Sequence, residues 1–196
     1  MKDYCLDSLH FLIIDTNPFC RELAQRMLKS FRAGHVEQAA DVHSARTAMK
    51  IRQYDIIFTD WHIGGMTGAD FIREVRSDVG NTHRFTPFIM LTSYSEERFV
   101  RAARDAGANQ FLCKPITPLS VYSRIERVIK EDREFVTGAA YVGPDRRFHE
   151  EEQTRQHRRS GDAADAGPAS RPASRPASRP ALRTATPNAA SERALL

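Results

Sequence analysis

Long hydrophobic runs are missing from this chain. Its apolar stretches are short, far below the about 20 residues a membrane-crossing helix needs. No basic-then-apolar leader opens it either. Cysteine is scarce. Cys5, Cys20 and Cys113 are odd in number and match no zinc spacing, which argues against a disulfide framework or a cysteine zinc site. Cys113 reads as a small core residue, and a reducing cytoplasm is the expected setting. Large apolar side chains are nearly absent from residue 153 onward. That stretch buries too little to offset chain entropy and is expected to be disordered.

Charge of one sign is also lacking, since the net charge is only +4. Residues 153–196 carry eight Arg against three acids, whereas residues 131–152 carry three Arg against seven acids. The basic character therefore belongs to the tail. It is sparse and has no interleaved aromatics, so it permits weak contact with nucleic acid or anionic lipid without arguing for specific recognition. Pro168-Ala169-Ser170-Arg171 repeats through Arg179, and proline at every fourth position blocks helix and sheet alike.

What is present is concentrated before residue 131. Strand-like runs lie near 10–14, 35–39, 55–59, 87–91 and 110–113. Helical patterns separate them. Pro18 opens the first, and Leu23, Ala24, Met27, Leu28 and Phe31 recur at helical spacing, with Gly34 as the expected stop. Ser93-Tyr94-Ser95-Glu96 suggests a capping box for the fourth, and Thr117-Pro118 caps the fifth. Strand then helix, five times over, predicts a parallel sheet covered on both faces. The poorly apolar second run, His35–Ala39, suits a sheet edge. The expected layout is one domain over 8–131, an irregular extension over 132–152 and a disordered tail over 153–196. Tyr141 and Phe148 would strap the extension back onto the domain.

The chemistry lies where the strand-like runs stop. They end in Asp15, Asp60, Thr92-Ser93 and Lys114-Pro115. Ligands of open α/β sheets bind at the carboxyl ends of strands. Two carboxylates sharing a pocket repel, and a divalent cation with oxygen ligands, such as Mg²⁺, relieves the conflict. An aspartate can also attack phosphorus. Attack of one anion on another needs charge neutralisation, which a metal and Lys114 supply. A Thr92 hydroxyl can then bond a phosphoryl oxygen. No further acid–base pair or nucleophile–histidine pairing argues for a turnover enzyme.

These residues resemble the receiver domain of two-component response regulators. The resemblance rests on Leu12-Ile13-Ile14-Asp15-Thr16-Asn17-Pro18, Ile56-Ile57-Phe58-Thr59-Asp60-Trp61, Met66-Thr67-Gly68, Leu91-Thr92-Ser93, and Ala106-Gly107-Ala108 followed by Phe111 and Lys114-Pro115, in that order. It implies a flavodoxin-like doubly wound five-stranded parallel sheet, order 2-1-3-4-5, with five helices. It implies Asp60 as phosphoacceptor, and Asp15, Asp60 and the His62 backbone carbonyl as Mg²⁺ ligands. Thr92 and Phe111 would form the switch. Lys114 would pair with phosphate, aimed by a cis peptide before Pro115. A sensor histidine kinase or histidine phosphotransfer protein would donate the phosphoryl group. An unnamed protein target, or a second copy, would meet the fourth helix, fifth strand and fifth helix.

Three departures qualify that expectation. Thr16 stands where the resemblance implies a second acid, which weakens metal binding. Gly64 replaces a usual proline and loosens its loop. His62 and Tyr94 place rings two residues beyond Asp60 and Thr92, where they would obstruct water and prolong a phosphorylated state. The alternatives are a pseudo-receiver that binds partners without phosphate, or a receiver regulating nucleic-acid or membrane association through the tail. Trp61 is expected half-exposed beside the site.

Overall fold

A computed structural model of the chain describes residues 4–131, 133–138 and 141–145. Phe148 and the 153–196 tail lie outside the described residues. The strands are β1 (His10–Ile14), β2 (His35–Ala39), β3 (Ile56–Thr59), β4 (Phe88–Thr92) and β5 (Gln110–Cys113). They form one parallel sheet in the order β2-β1-β3-β4-β5. The helices are α1 (Pro18–Ser30), α2 (Val42–Ile51), α3 (Gly68–Ser77), α4 (Glu97–Asp105) and α5 (Pro118–Lys130).

Alternation along each strand divides the core. Leu12, Ile14, Ile57, Phe88 and Met90 face α2, α3 and α4. Phe11, Ile13, Phe58, Ile89 and Leu91 face α1 and α5. Both faces are covered, so β1, β3 and β4 read as continuous apolar runs instead of alternating ones. β2 is the edge and is mostly exposed, as its polar sequence required. Leu6 is buried, so packing begins slightly ahead of residue 8.

Local chemistry sets the helix ends, and two expectations need correction. The α1 stop is made by Arg32, whose φ is 62°, and not by Gly34. Gly34 serves a close approach instead, since a Cβ there would stand 1.8 Å from the Asp7 carbonyl oxygen. No side-chain bond caps α4, which starts at Glu97, so the proposed capping box does not form. Thr117 and Ser120 do form one at α5.

The described residues of the extension include a hairpin. β6 (Phe135–Thr137) pairs antiparallel with β7 (Val142–Pro144). The hairpin lies against α3 and the turn before β5, anchored by Phe135 beside the buried Arg76 side chain. The Tyr141 hydroxyl donates to the Pro144 carbonyl at 2.8 Å, and its side chain lines a cleft with Arg76 and Ala106 of the domain. Cys113 is half-buried rather than fully buried.

Candidate functional site

Parallel strands bring their carboxyl ends to one side of a sheet, and the side chains follow. Asp15 ends the path of β1, Asp60 that of β3, Thr92 closes β4 and Lys114 follows β5. The Lys114 ammonium lies 2.6 Å from one oxygen of Asp15 and 3.2 Å from Asp60. One cation thus bridges two carboxylates, and all three side chains are largely sheltered from solvent. The Lys114–Pro115 peptide is cis. Thr92 is fully buried, and its hydroxyl oxygen accepts from the Tyr94 N–H at 3.1 Å.

The charges respond to this setting. Burial pushes the Asp60 carboxyl above its usual range, and the Asp15 charge adds to the rise. Lys114 and the Trp61 N–H pull the other way without cancelling it. Burial works against the Lys114 ammonium, but its bond to Asp15 and the charges of Asp60 and Asp15 outweigh that, so its pKa is raised. The pair of acids is held with a resident positive charge at neutral pH.

The shell around the acids is built from backbone. Asp15 accepts from the Asn17 N–H at 2.8 Å. Asn17 caps α1 through its side chain. The Arg21 guanidinium grips the Asp15 carbonyl at 2.6 Å, a contact no sequence signal announced. Gly68 packs beneath the Asp60 backbone, where a Cβ would stand 2.1 Å from the Asp60 carbonyl oxygen. That close approach explains the glycine in Met66-Thr67-Gly68.

The loops after β3 and β4 meet. The His62 ring nitrogen Nε2 is 3.2 Å from the Tyr94 hydroxyl. Trp61 is buried, against the expectation of half-exposure. Phe99 packs edge-on to it at 4.7 Å, and Tyr94 lies 6.4 Å away. The sequence did not mark Phe99 as part of this cluster, because its place in α4 is set by where that helix begins. Phe111 is half-buried against the core on the α4 side.

His62 and Thr67 form an antiparallel bridge, with hydrogen bonds from the Gly68 N–H to the Trp61 carbonyl and from the Ile63 N–H to the Met66 carbonyl. Such a pair turns the His62 carbonyl away from Thr67 and leaves it open. Asp15, Asp60 and that carbonyl are oxygen donors of the kind Mg²⁺ takes when it keeps several waters. Thr16 is exposed and supplies no further carboxylate. Among the described residues no group of three or more His, Cys, Asp or Glu side chains converges for a metal. The donors suit a weakly held hard cation.

A doubly wound sheet with an acid pair and a lysine at its strand ends defines a flavodoxin-like domain built around an acidic pocket. The profile of the response regulator receiver domain matches residues 11–126, more than half of the chain, and the chain belongs to that family. Chemotaxis protein CheY of Pseudomonas aeruginosa PAO1 is 28% identical over 122 residues, which is 62% of this chain and 97% of that protein. Vibrio cholerae chemotaxis protein CheY4 superposes with a TM-score of 0.56 at 28% identity, covering 61% of this chain and 98% of its own. The receiver domain of the P. aeruginosa sensor histidine kinase PA1611, solved with magnesium in its active-site cleft, gives 0.56 at 25% identity over 63% of this chain and 98% of its own. No helix among the described residues is long and apolar enough to cross a membrane.

Proposed function

We propose that this chain is a phosphorylation-dependent signalling protein whose phosphoacceptor is Asp60. One observation carries the reading: Lys114 contacts both Asp15 and Asp60 at the strand ends, beside the buried Thr92. An Asp60 carboxylate oxygen attacks the phosphorus of a phosphohistidine on a sensor kinase or phosphotransfer protein. The phosphorus–nitrogen bond breaks, and the donor imidazole leaves with its electron pair. Lys114 neutralises the incoming oxygens. Asp15, Asp60 and the His62 carbonyl would hold Mg²⁺, which would supply further charge neutralisation. Thr92 donates its hydroxyl proton to a phosphoryl oxygen, and the switch to Phe111 and α4 alters protein contacts. The chain turns over no separate substrate.

Trp61 makes the test direct. Mg²⁺ and then beryllofluoride, a phosphoryl mimic, are titrated while fluorescence is followed, with Asp60→Asn as control. The expected result is a saturable, Mg²⁺-dependent change that the variant lacks. No change, together with no acetyl-phosphate adduct on Asp60 by mass, overturns the reading in favour of a domain that binds partners without phosphate. The exposed Thr16 is the feature that would explain such a result.

A further inference from the structure

The acid pair opens onto an apolar chamber. Asp15, Asp60 and Lys114 share a cavity of about 190 Å³ with side chains of β1, β3, β4 and α1. Ile13, Phe58 and Leu91 stand one or two residues before the polar strand ends, on the sheet face that α1 covers, and form its floor. The half-buried Cys20 and Leu23 of α1 form a wall. Phe19 and Pro115 complete the lining and are exposed, which sets the mouth at the surface. Close-packed interiors leave few voids larger than a water molecule. A chamber of about 150 Å³ walled by Leu, Ile and Phe takes up benzene, so this one has room for a single aromatic ring on a short linker. Phosphoryl oxygens and hydrated Mg²⁺ have no use for such walls. The polar end selects the rest of a ligand. Two carboxylates there meet one ammonium, at 2.6 Å and 3.2 Å, which leaves one negative charge over. The nearest further cation, Arg21, is engaged with the Asp15 carbonyl and the Gln38 side chain and is not part of the lining. A second ammonium is therefore attracted to this end and an anionic head repelled, with little screening in so sheltered a place.

We infer that this chamber is a binding site for a small arylalkylamine, which seats its ring between α1 and the sheet and sets its ammonium on Asp60. The ring is held by apolar burial and the head by charge, so neither half alone binds well. The ligand occupies the carboxylate that the phosphoryl group needs, and it holds the domain in its unphosphorylated form. The binding site stands on the cavity and its charges. Only this regulatory consequence rests on the proposed role of Asp60 as phosphoacceptor.

The test titrates 2-phenylethylamine into the full chain by calorimetry. Two analogues accompany it: 2-phenylethanol keeps the ring and loses the charge, and ethylamine keeps the charge and loses the ring. The amine is expected to bind at least about tenfold tighter than either. Cys20→Leu and Leu23→Phe each fill the chamber without altering the acids, and each should weaken binding at least about fivefold, as should Asp60→Asn. Circular dichroism confirms that each variant is folded. The inference is overturned if either analogue binds as well as the amine, if the chamber-filling variants bind it unchanged, or if no heat appears up to millimolar amine. It is overturned equally if sedimentation shows a dimer that the amine dissociates, which would assign the chamber to a side chain of a second copy. Bound amine should also slow the modification of Asp60 by acetyl phosphate. Binding that meets the ring, charge and variant criteria in a chain whose Asp60 takes no adduct leaves the site standing and counts against the phosphoacceptor. Adduct formation without amine binding does the reverse, so the two fail separately.

Discussion

A 3.2 Å contact between His62 and Tyr94 ties two loops together, and under the proposed function these rings would obstruct water on its way to a phosphorylated Asp60. Replacing either ring by alanine should open the path. We expect His62→Ala or Tyr94→Ala to hasten loss of the phosphoryl group roughly threefold to tenfold, a barrier change of about 0.7–1.4 kcal/mol. Radiolabel decay after donor removal measures it, and an unchanged rate refutes the obstruction. Arg76 matters at the same scale for stability. It is buried between the Phe88 and Phe135 rings, and its guanidinium donates to the carbonyls of Gly107 and Arg84. Burial pushes its pKa down to about 9, so it stays charged at neutral pH. Arg76→Met should cost about 2–4 kcal/mol by stranding those carbonyls. Lysine should not rescue it, lacking the planar fork. Denaturant midpoints decide. The four chemical residues were legible because each follows an apolar run that ends abruptly. Arg76 was not, since an arginine in an amphipathic helix gives no sign that its helix face will later be covered.

Elements show the same division. β1, β3 and β4 announced themselves through uninterrupted apolar residues, a direct result of burial on both faces. The β6–β7 hairpin did not, because strands of three residues hold no period to detect. The start of α4 was misjudged since Ser93 and Ser95 carry cap chemistry that this loop does not use, and its Tyr94 packs with Trp61 and Phe99. The hairpin is more than an appendage. Gly107, with φ of 95°, lets the Val142 carbonyl approach to where a Cβ would be 2.7 Å away. Phe135→Ala should therefore cost about 3 kcal/mol, the lower end for a buried aromatic, and raise hydrogen exchange at Gly107–Asn109 ahead of β1. Protection unchanged at that turn would mean the hairpin contributes little.

For the molecule as a whole, pH offers a test that leaves the acidic pocket aside. His83 is buried, and its Nε2 accepts from the Tyr54 N–H at 3.2 Å. Burial holds its pKa below the ordinary value, and a bond to the Arg52 backbone offsets part of that. The folded state therefore binds fewer protons than the unfolded one between the two pKa values. The resulting stability is complete above an unfolded pKa of about 6.5 and declines as pH falls through it toward the folded value. Tm should drop between pH 7 and pH 5. His83→Gln keeps an acceptor for Tyr54 and should flatten that drop, whereas an unaltered profile would exclude His83 as its source.

The hairpin also fixes where the chain leaves the sheet. Gly107, Asn109, Phe85 and Arg76 hold it at the amino ends of β4 and β5, while Asp60 and Lys114 sit at the carboxyl ends. A five-residue strand rises about 16 Å, so the two lie at opposite poles of the molecule. A bulky reporter joined after residue 145 would hang from the pole remote from the acids, which makes that end of the folded body the place to label when the approach of a phosphoryl donor is to be watched undisturbed.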